Sequence, residues 1–153
     1  MSNHVACIVI VGGRPKDVLG FDLAAALEPF LPGSRMNLEP IGLRSTFLEA
    51  WRFTTKFAAP IGRLELVSQQ NPGLRFAIVW DDDLDEAENY GHAWLAAGNC
   101  VHWMSVPHAE ERFSRSTVMG GWILEIVDWV APETDVDYTF PYEDADVLVR
   151  VAL

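Results

Sequence analysis

The first strongly hydrophobic segment, residues 4–12, carries apolar side chains at odd and even positions alike. One face would hold Val5, Cys7, Val9 and Val11, and the other Ala6, Ile8 and Ile10. Successive side chains of a strand point to opposite faces, so both faces of this strand are apolar. The pattern predicts a central strand that is covered on both sides.

A helix is predicted to follow the glycine turn at residues 12–13. Pro15 suits the first position of a helix, and Asp17 suits the positive end of the helix dipole. The apolar stripe at helical spacing consists of Leu19, Leu23, Ala26, Leu27 and Phe30. A Pro-Gly pair at residues 32–33 ends the segment, so one helix is expected between the two turns.

Three more strands and a second helix are predicted in the middle of the chain. The candidate strands are residues 36–41, 47–57 and 74–80, the last two with alternating side chains. A short helix opens at Pro60 and carries apolar residues on one side. Residues 90–97 and 100–106 have the pattern of a hairpin around Gly98 and Asn99.

The C-terminal part of the chain has two readings between residues 122 and 130. Its apolar residues have helical spacing, and a helix beginning near Gly121 avoids most of the cost of Gly120 and Gly121, about 1 kcal/mol each inside a helix. A strand is the alternative. Beyond it, residues 132–146 form an acidic connection with a short strand at 136–140, and residues 147–151 are expected to form a closing strand.

The order of these elements predicts the fold class. A β-α-β-β-α-β series followed by a hairpin is the α+β ferredoxin-like split βαβ arrangement with additions. We expect one domain over residues 1–153, with a core at 3–106 and a C-terminal helix and strand extension at 107–153. Because the first strand is apolar on both faces, we expect the extension to pack on the second face; a dimer partner is the alternative.

Charge is concentrated in two short runs. The chain of 153 residues has a formal net charge of −11 and contains 22 acidic residues. Twelve of them lie in two runs without Lys or Arg, namely Asp81, Asp82, Asp83, Asp85, Glu86 and Glu88, and Glu133, Asp135, Asp137, Glu143, Asp144 and Asp146. A localised negative field repels nucleic acid and attracts basic proteins. These twelve acids are therefore the candidate partner-binding residues.

Other features bear on the compartment. The longest apolar stretches are far shorter than the roughly 20 residues of a membrane span. No basic segment leads into an apolar run at the N-terminus, so no secretion signal is expected. Cys7 and Cys100 both have apolar neighbours and are expected to be buried without forming a disulfide. Together these features favour the cytoplasm.

Patterns for a metal or cofactor are weak. The stretch from Asp81 to Asp85 contains the Asp-Asp-x-x-Asp spacing of magnesium-diphosphate enzymes, but it ends a strand in a chain too short for their helical bundle. An EF-hand reading places Glu86 where Gly is needed and His92 where Glu is needed. His92, His102 and His108 lack the tight spacing of a zinc site, and His102 is expected to be half-buried. No metal site and no cofactor are predicted.

Patterns for a nucleic-acid-binding surface are also weak. The glycines at residues 12–13 lack the spacing of a phosphate-binding loop. Arg52, Lys56, Arg63 and Arg75 lack an accompanying RNA-recognition signature, and the net charge opposes phosphate binding. The tryptophans Trp103, Trp122 and Trp129 suit either a binding surface or a core, and the sequence leaves both open.

Several local patterns resemble one known family. They are Asn3-His4-Val5, the strand to Gly12, Val18 and Phe21, the segments 37–41 and 51–57, and Pro60, Ser68, Pro72, Leu74, Phe76 and Trp80. Together they resemble the YubB-type ferredoxin-like domain of phage- and plasmid-encoded proteins over residues 3–98. The family's His-Trp-Gly-Thr-Lys-Trp stretch is missing before Trp51. The resemblance implies the fold and a mobile-element origin, and it implies no enzyme activity or catalytic residue.

These observations lead to one main functional hypothesis. The chain is predicted to be a non-enzymatic, acidic protein-binding module whose acids dock on a basic partner, such as the nucleic-acid-binding surface of a host protein, in an inhibitory or anti-defence role. Two alternatives stay open. One is an immunity-type inhibitor of a basic toxin nuclease, and the other is a divalent-metal enzyme using Asp81, Asp83 and Asp85.

Overall fold

The computed structural model describes residues 4–27, 39–45, 48–56, 59–82, 89–107 and 115–130. The elements in chain order are β1 (His4–Gly13), α1 (Pro15–Leu19), α2 (Leu23–Leu27), β2 (Glu39–Ser45), β3 (Leu48–Lys56), α3 (Ile61–Gln70), β4 (Leu74–Asp82), β5 (Asn89–Ala96), β6 (Asn99–Pro107) and α4 (Arg115–Val130). They form a mixed α+β fold. The predicted strands at residues 136–140 and 147–151 lie outside the described residues.

The strands form one six-stranded sheet in the order β2-β3-β1-β4-β5-β6. Every pair of neighbours is antiparallel. The hairpin β5–β6 continues the sheet beyond β4, so the sheet is wider than a four-stranded ferredoxin-like sheet. This order places β1 inside the sheet and β6 at one edge.

Helices cover both faces of the sheet. On one face, α1, α2 and α3 pack on the odd-numbered residues of β1, including Val5, Cys7 and Val9. On the other face, α4 packs on Ile8 and Ile10 together with residues of β3, β4 and β5. The described part of the C-terminal addition therefore lies on the second face, which explains the apolar pattern on both sides of β1.

The first predicted helix is interrupted. The stripe from Leu19 to Phe30 suggested one helix, but α1 ends at Leu19 and α2 begins at Leu23. The Asp22 carboxylate accepts a hydrogen bond from the backbone N–H of Ala25 at 3.2 Å, which caps α2 at its start. Leu19 is consequently exposed, while Leu23 and Leu27 are buried.

Helix α4 begins earlier than the sequence indicated. It starts at Arg115 rather than near Gly121, and the strand alternative is wrong. Two glycines therefore lie inside the helix. Their cost is offset by a buried stripe formed by Met119, Trp122, Ile123, Ile126, Val127 and Val130.

Gly12 belongs to β1 instead of forming a turn with Gly13. A Cβ atom at Gly12 would lie 2.7 Å from the Cβ atom of Val130, closer than atoms can pack. The glycine therefore allows the end of α4 to approach the backbone of β1. This packing role also removes residues 12–13 as candidates for a phosphate-binding loop.

The hairpin between β5 and β6 turns one residue earlier than predicted. Its two turn residues, Ala97 and Gly98, have positive φ angles of 50° and 86°. This is the twist that a two-residue hairpin requires. The register shifts by one residue on β6, where Val101 is the extra residue of a bulge.

In the part of the chain that the structure describes, no helix is long and apolar enough to cross a membrane.

Candidate functional site

The predicted partner-binding acids fall only partly within the structure. Asp81 and Asp82 end β4, where they lie in register with Ala6 and Val5 of β1. Asp81 is half-buried and lies on the face covered by α4, because it alternates with Val79 of that cluster. The other four acids of the first run and all six of the second lie outside the described residues.

The structure does reveal how charge is distributed across the sheet. Residues 1–75 contain six acids and eight Lys or Arg residues, whereas residues 76–153 contain 16 acids and three. In the strand order, the basic residues Arg44, Arg52 and Lys56 lie on β2 and β3, towards one edge. Strands β5 and β6, at the other edge, contain no Lys, Arg, Asp or Glu. Strands β5 and β6 thus form an uncharged edge of the described sheet, and the acidic surplus after position 75 is a property of the sequence.

Strand β6 exposes several large apolar side chains. Among the described strands it pairs only with β5. The exposed fractions are 56% for Val101, 57% for Trp103 and 40% for Met104. Edge strands are usually protected from pairing by charges, prolines or bulges. Here the nine residues of β6 have a bulge at Val101 and a Pro at the last position, but no charged side chain.

On the face of α1–α3, two neighbouring tryptophan rings, tilted relative to each other, connect β4 with β6. Trp80 of β4 lies over Gly91 of β5, where an added Cβ atom would overlap the Trp80 ring. The ring of Trp103 follows on β6, with its centroid 6.4 Å from that of Trp80. Trp80 is buried and Trp103 is exposed. The aromatic row therefore extends from the core to the surface of the edge strand.

On the face of α4, a histidine is enclosed by aromatic rings. His92 of β5 is 1% exposed, and its ring is stacked on Trp122 with centroids 4.4 Å apart. The indole N–H of Trp94 donates a hydrogen bond to Nδ1 of His92 at 3.0 Å. Because Nδ1 accepts, the proton of the neutral imidazole is on Nε2. This buried N–H has no hydrogen-bond partner among the described residues.

The environment of His92 opposes its protonation. Burial and, to a smaller extent, the neighbouring His102 together lower its pKa from 6.5 to about 4. The two ring centroids are 4.9 Å apart. His102 was expected to be half-buried, but it is exposed on β6, and His92 is the buried one. Sequence reasoning missed this because both residues lie in strands with the same alternation.

The end of α4 is fixed to the sheet by Arg75 and Trp94. The Trp129 ring stacks on Trp94 with centroids 5.0 Å apart. The Arg75 guanidinium lies 5.3 Å from the centre of the same ring and donates a hydrogen bond to the Trp129 carbonyl oxygen at 2.7 Å. The arrangement answers the question left open by the sequence: Trp122 is buried, Trp129 is half-buried against the sheet, and of these three tryptophans only Trp103 is exposed.

Within the described ranges, no group of three or more His, Cys, Asp or Glu residues is placed to hold a metal ion. Asp83 and Asp85 lie outside them. Cys7 is buried as expected, whereas Cys100 is exposed, contrary to expectation, because it lies on the edge strand. No disulfide joins the two.

The exposed edge could have been anticipated from one signal. Residues 89–107 form the hairpin without a single charged side chain, although acids flank it on both sides in sequence. Which of its two strands lies at the edge depends on the sheet order and is not encoded locally.

Comparison with protein families, curated proteins and solved structures gives no match.

Proposed function

We propose that this protein is a non-enzymatic, acidic protein-binding module whose partner is basic. The observation that carries the proposal is the separation of charge along the chain, with 16 acids and three Lys or Arg residues after position 75. Such a concentration of acids steers a basic partner towards them and accelerates association at low salt. It also repels nucleic acid, so a protein is the favoured partner.

The wider assignment is part of the same proposal. We infer a cytoplasmic, single-domain protein of a mobile element, with a ferredoxin-like core. The order β2-β3-β1-β4 and the placement of α1, α2 and α3 on one face support that core. An inhibitor that occupies the nucleic-acid-binding groove of a host protein would need this negative charge. The same charge suits a toxin nuclease as partner, so identification of the partner decides between them.

Charge-neutralised variants test the proposal. The full chain is used to capture proteins from an extract of cells that carry its gene, and bound proteins are identified by mass spectrometry. Neutralising Asp83, Asp85 and Glu86 to the amides should reduce capture of a basic partner and flatten its dependence on salt. The matched control neutralises three acids of the other half, Glu28, Glu39 and Glu65.

The two outcomes are clearly separated. If the first variant loses the partner and the control retains it, the acidic half carries the binding. If both variants bind as tightly as the wild type, or if the captured proteins are not basic, the charge serves solubility alone and the proposal fails.

A further inference from the structure

We propose that β6 is a strand-addition site, which binds an extended segment of the partner that alternates apolar residues with Lys or Arg. The inference rests on the proposed function for the charge of the partner. It adds the binding mode and the chemistry of the segment that is recognised. Backbone pairing with an edge strand supplies affinity, and alternate side chains supply specificity.

The backbone of β6 offers the first part of this site. Its nine residues pair on one side with β5, and no described strand lies on the other side. A strand of this length spans about 30 Å at about 3.4 Å per residue. The outer N–H and C=O groups form a template for another strand, and no charged side chain of β6 blocks approach.

The side chains of β6 offer the second part. Trp103 is paired with Ala93 and lies on the face of α1–α3, whereas Met104 is paired with His92 and lies on the face of α4. A strand of alternating side chains added to β6 would bring its apolar side chains beside Trp103 on one face and its basic side chains onto the face of Met104 and α4. Exposed Trp and Met are side chains typical of binding anchors.

The strand next to β6 is packed against α4. Strand β5 lies beneath α4, with His92 stacked on Trp122 and Trp94 stacked on Trp129. A strand that is already held in an extended conformation loses little entropy on binding, which favours an extended guest.

Charge selects a basic partner over a second copy of this chain. Two copies would bring together two molecules of net charge −11, whose fields repel each other. Exposed Glu125 of α4 lies three residues after Trp122 and four before Trp129, so it borders the stripe of α4 that packs over β5. Basic residues of an added strand on this face would approach Glu125, so the charge of the site matches a Lys- or Arg-bearing segment.

A designed peptide tests the binding mode on the full chain. The probe is a fluorescein-labelled nine-residue peptide of alternating Val and Lys, and its binding is measured by fluorescence anisotropy. The control peptide has the same sequence with three central N-methylated residues, which keeps the charge and removes backbone donors. We expect the control peptide to bind about tenfold more weakly.

Two protein variants test whether the peptide binds at β6. Val101→Lys puts a positive charge on the edge, and Leu124→Lys makes the same change at an exposed position of α4, 41% exposed. We expect Val101→Lys to raise the Kd of the probe, and the Kd of this variant should be about ten times that of Leu124→Lys. Trp103→Ala should also weaken binding without changing the net charge. Hydrogen exchange should show new protection in Asn99–Pro107 when the probe is bound.

The possible failures distinguish the two proposals. If the probe binds but both Lys variants weaken it equally, and N-methylation has no effect, the acidic module survives and strand addition is wrong. If neither peptide binds at low salt, the acidic protein-binding function itself fails. If the protein sediments as a dimer that Val101→Lys dissociates, β6 is occupied by a second copy and the proposal is overturned.

Discussion

Acid should destabilise this fold through His92. In the folded chain the imidazole is buried against Trp122, and its pKa is lowered from 6.5 to about 4 by burial and, secondarily, by His102. In the unfolded chain it titrates with an ordinary pKa near 6.5. Between these two values the unfolded chain binds a proton that the folded chain does not, so the free energy of unfolding falls as the pH falls.

The size of this effect follows from the interval between the two pKa values. Each pH unit in it lowers the free energy of unfolding by about 1.4 kcal/mol, which gives about 3 kcal/mol between pH 6.5 and pH 4. Above pH 6.5 the contribution vanishes, and below pH 4 it stays constant. A domain of this size is stable by roughly 5–15 kcal/mol, so the loss is a large part of the total.

Urea unfolding followed by tryptophan fluorescence measures the effect between pH 7.5 and pH 4. His92→Gln supplies the comparison, because the Gln side chain does not titrate and retains an acceptor for the indole N–H of Trp94. The variant should be less stable at pH 7, since it loses the stacking on Trp122. Its disadvantage should shrink by about 3 kcal/mol towards pH 4, while the titration of the 22 acids cancels in the difference.

Two results would refute this reasoning. One is a stability difference between wild type and His92→Gln that does not change with pH. The other is an NMR titration in which His92 of the folded protein has a pKa near 6.5. His102→Gln is the internal check: it removes the charge that opposes protonation, so the pKa of His92 should rise in that variant.

Three further substitutions test the packing. Gly121→Ala should stabilise the protein by about 1 kcal/mol, measured by urea unfolding, because the position is helical and no atom lies within 4 Å of an added Cβ; a loss of stability would contradict the register of α4. Gly12→Ala should destabilise it by about 1–3 kcal/mol through overlap with Val130, and an unchanged Tm would show that α4 does not approach β1 so closely. Ile126→Ala, at a fully buried position, should cost about 2–5 kcal/mol by the same urea assay, and a cost below about 1 kcal/mol would place this side of α4 in solvent.

The ends of several elements could not be predicted because they depend on packing between distant segments. The stripe from Leu19 to Leu27 has helical spacing throughout, yet α1 ends at Leu19, and Phe21, between α1 and α2, packs edge-to-face on Phe76 with centroids 5.4 Å apart. Gly12 has the sequence context of a turn residue, but it lies in β1 with Val130 packed against it. In both cases a partner more than 50 residues away decides the local structure.

The candidate site also combines features that are visible in the sequence with features that only the fold decides. The absence of charge from the hairpin is visible in the sequence, and so is the acidic surplus after position 75. Whether Trp103, Trp122 or Trp129 reaches the surface was left open, since each stands in a regular apolar pattern. The sheet order resolved it by placing β6 at the edge and α4 over β5.

The sequence by itself determined most of the strands and the two-sided character of β1, because side-chain periodicity is a local property of strands and helices. It also determined the separation of charge, which requires only counting. Tertiary structure alone decided which apolar side chains are left exposed and which histidine is enclosed. Burial depends on the neighbours that the fold brings together, and His92 and His102 differ only because one strand lies beneath α4 and the other lies at the edge.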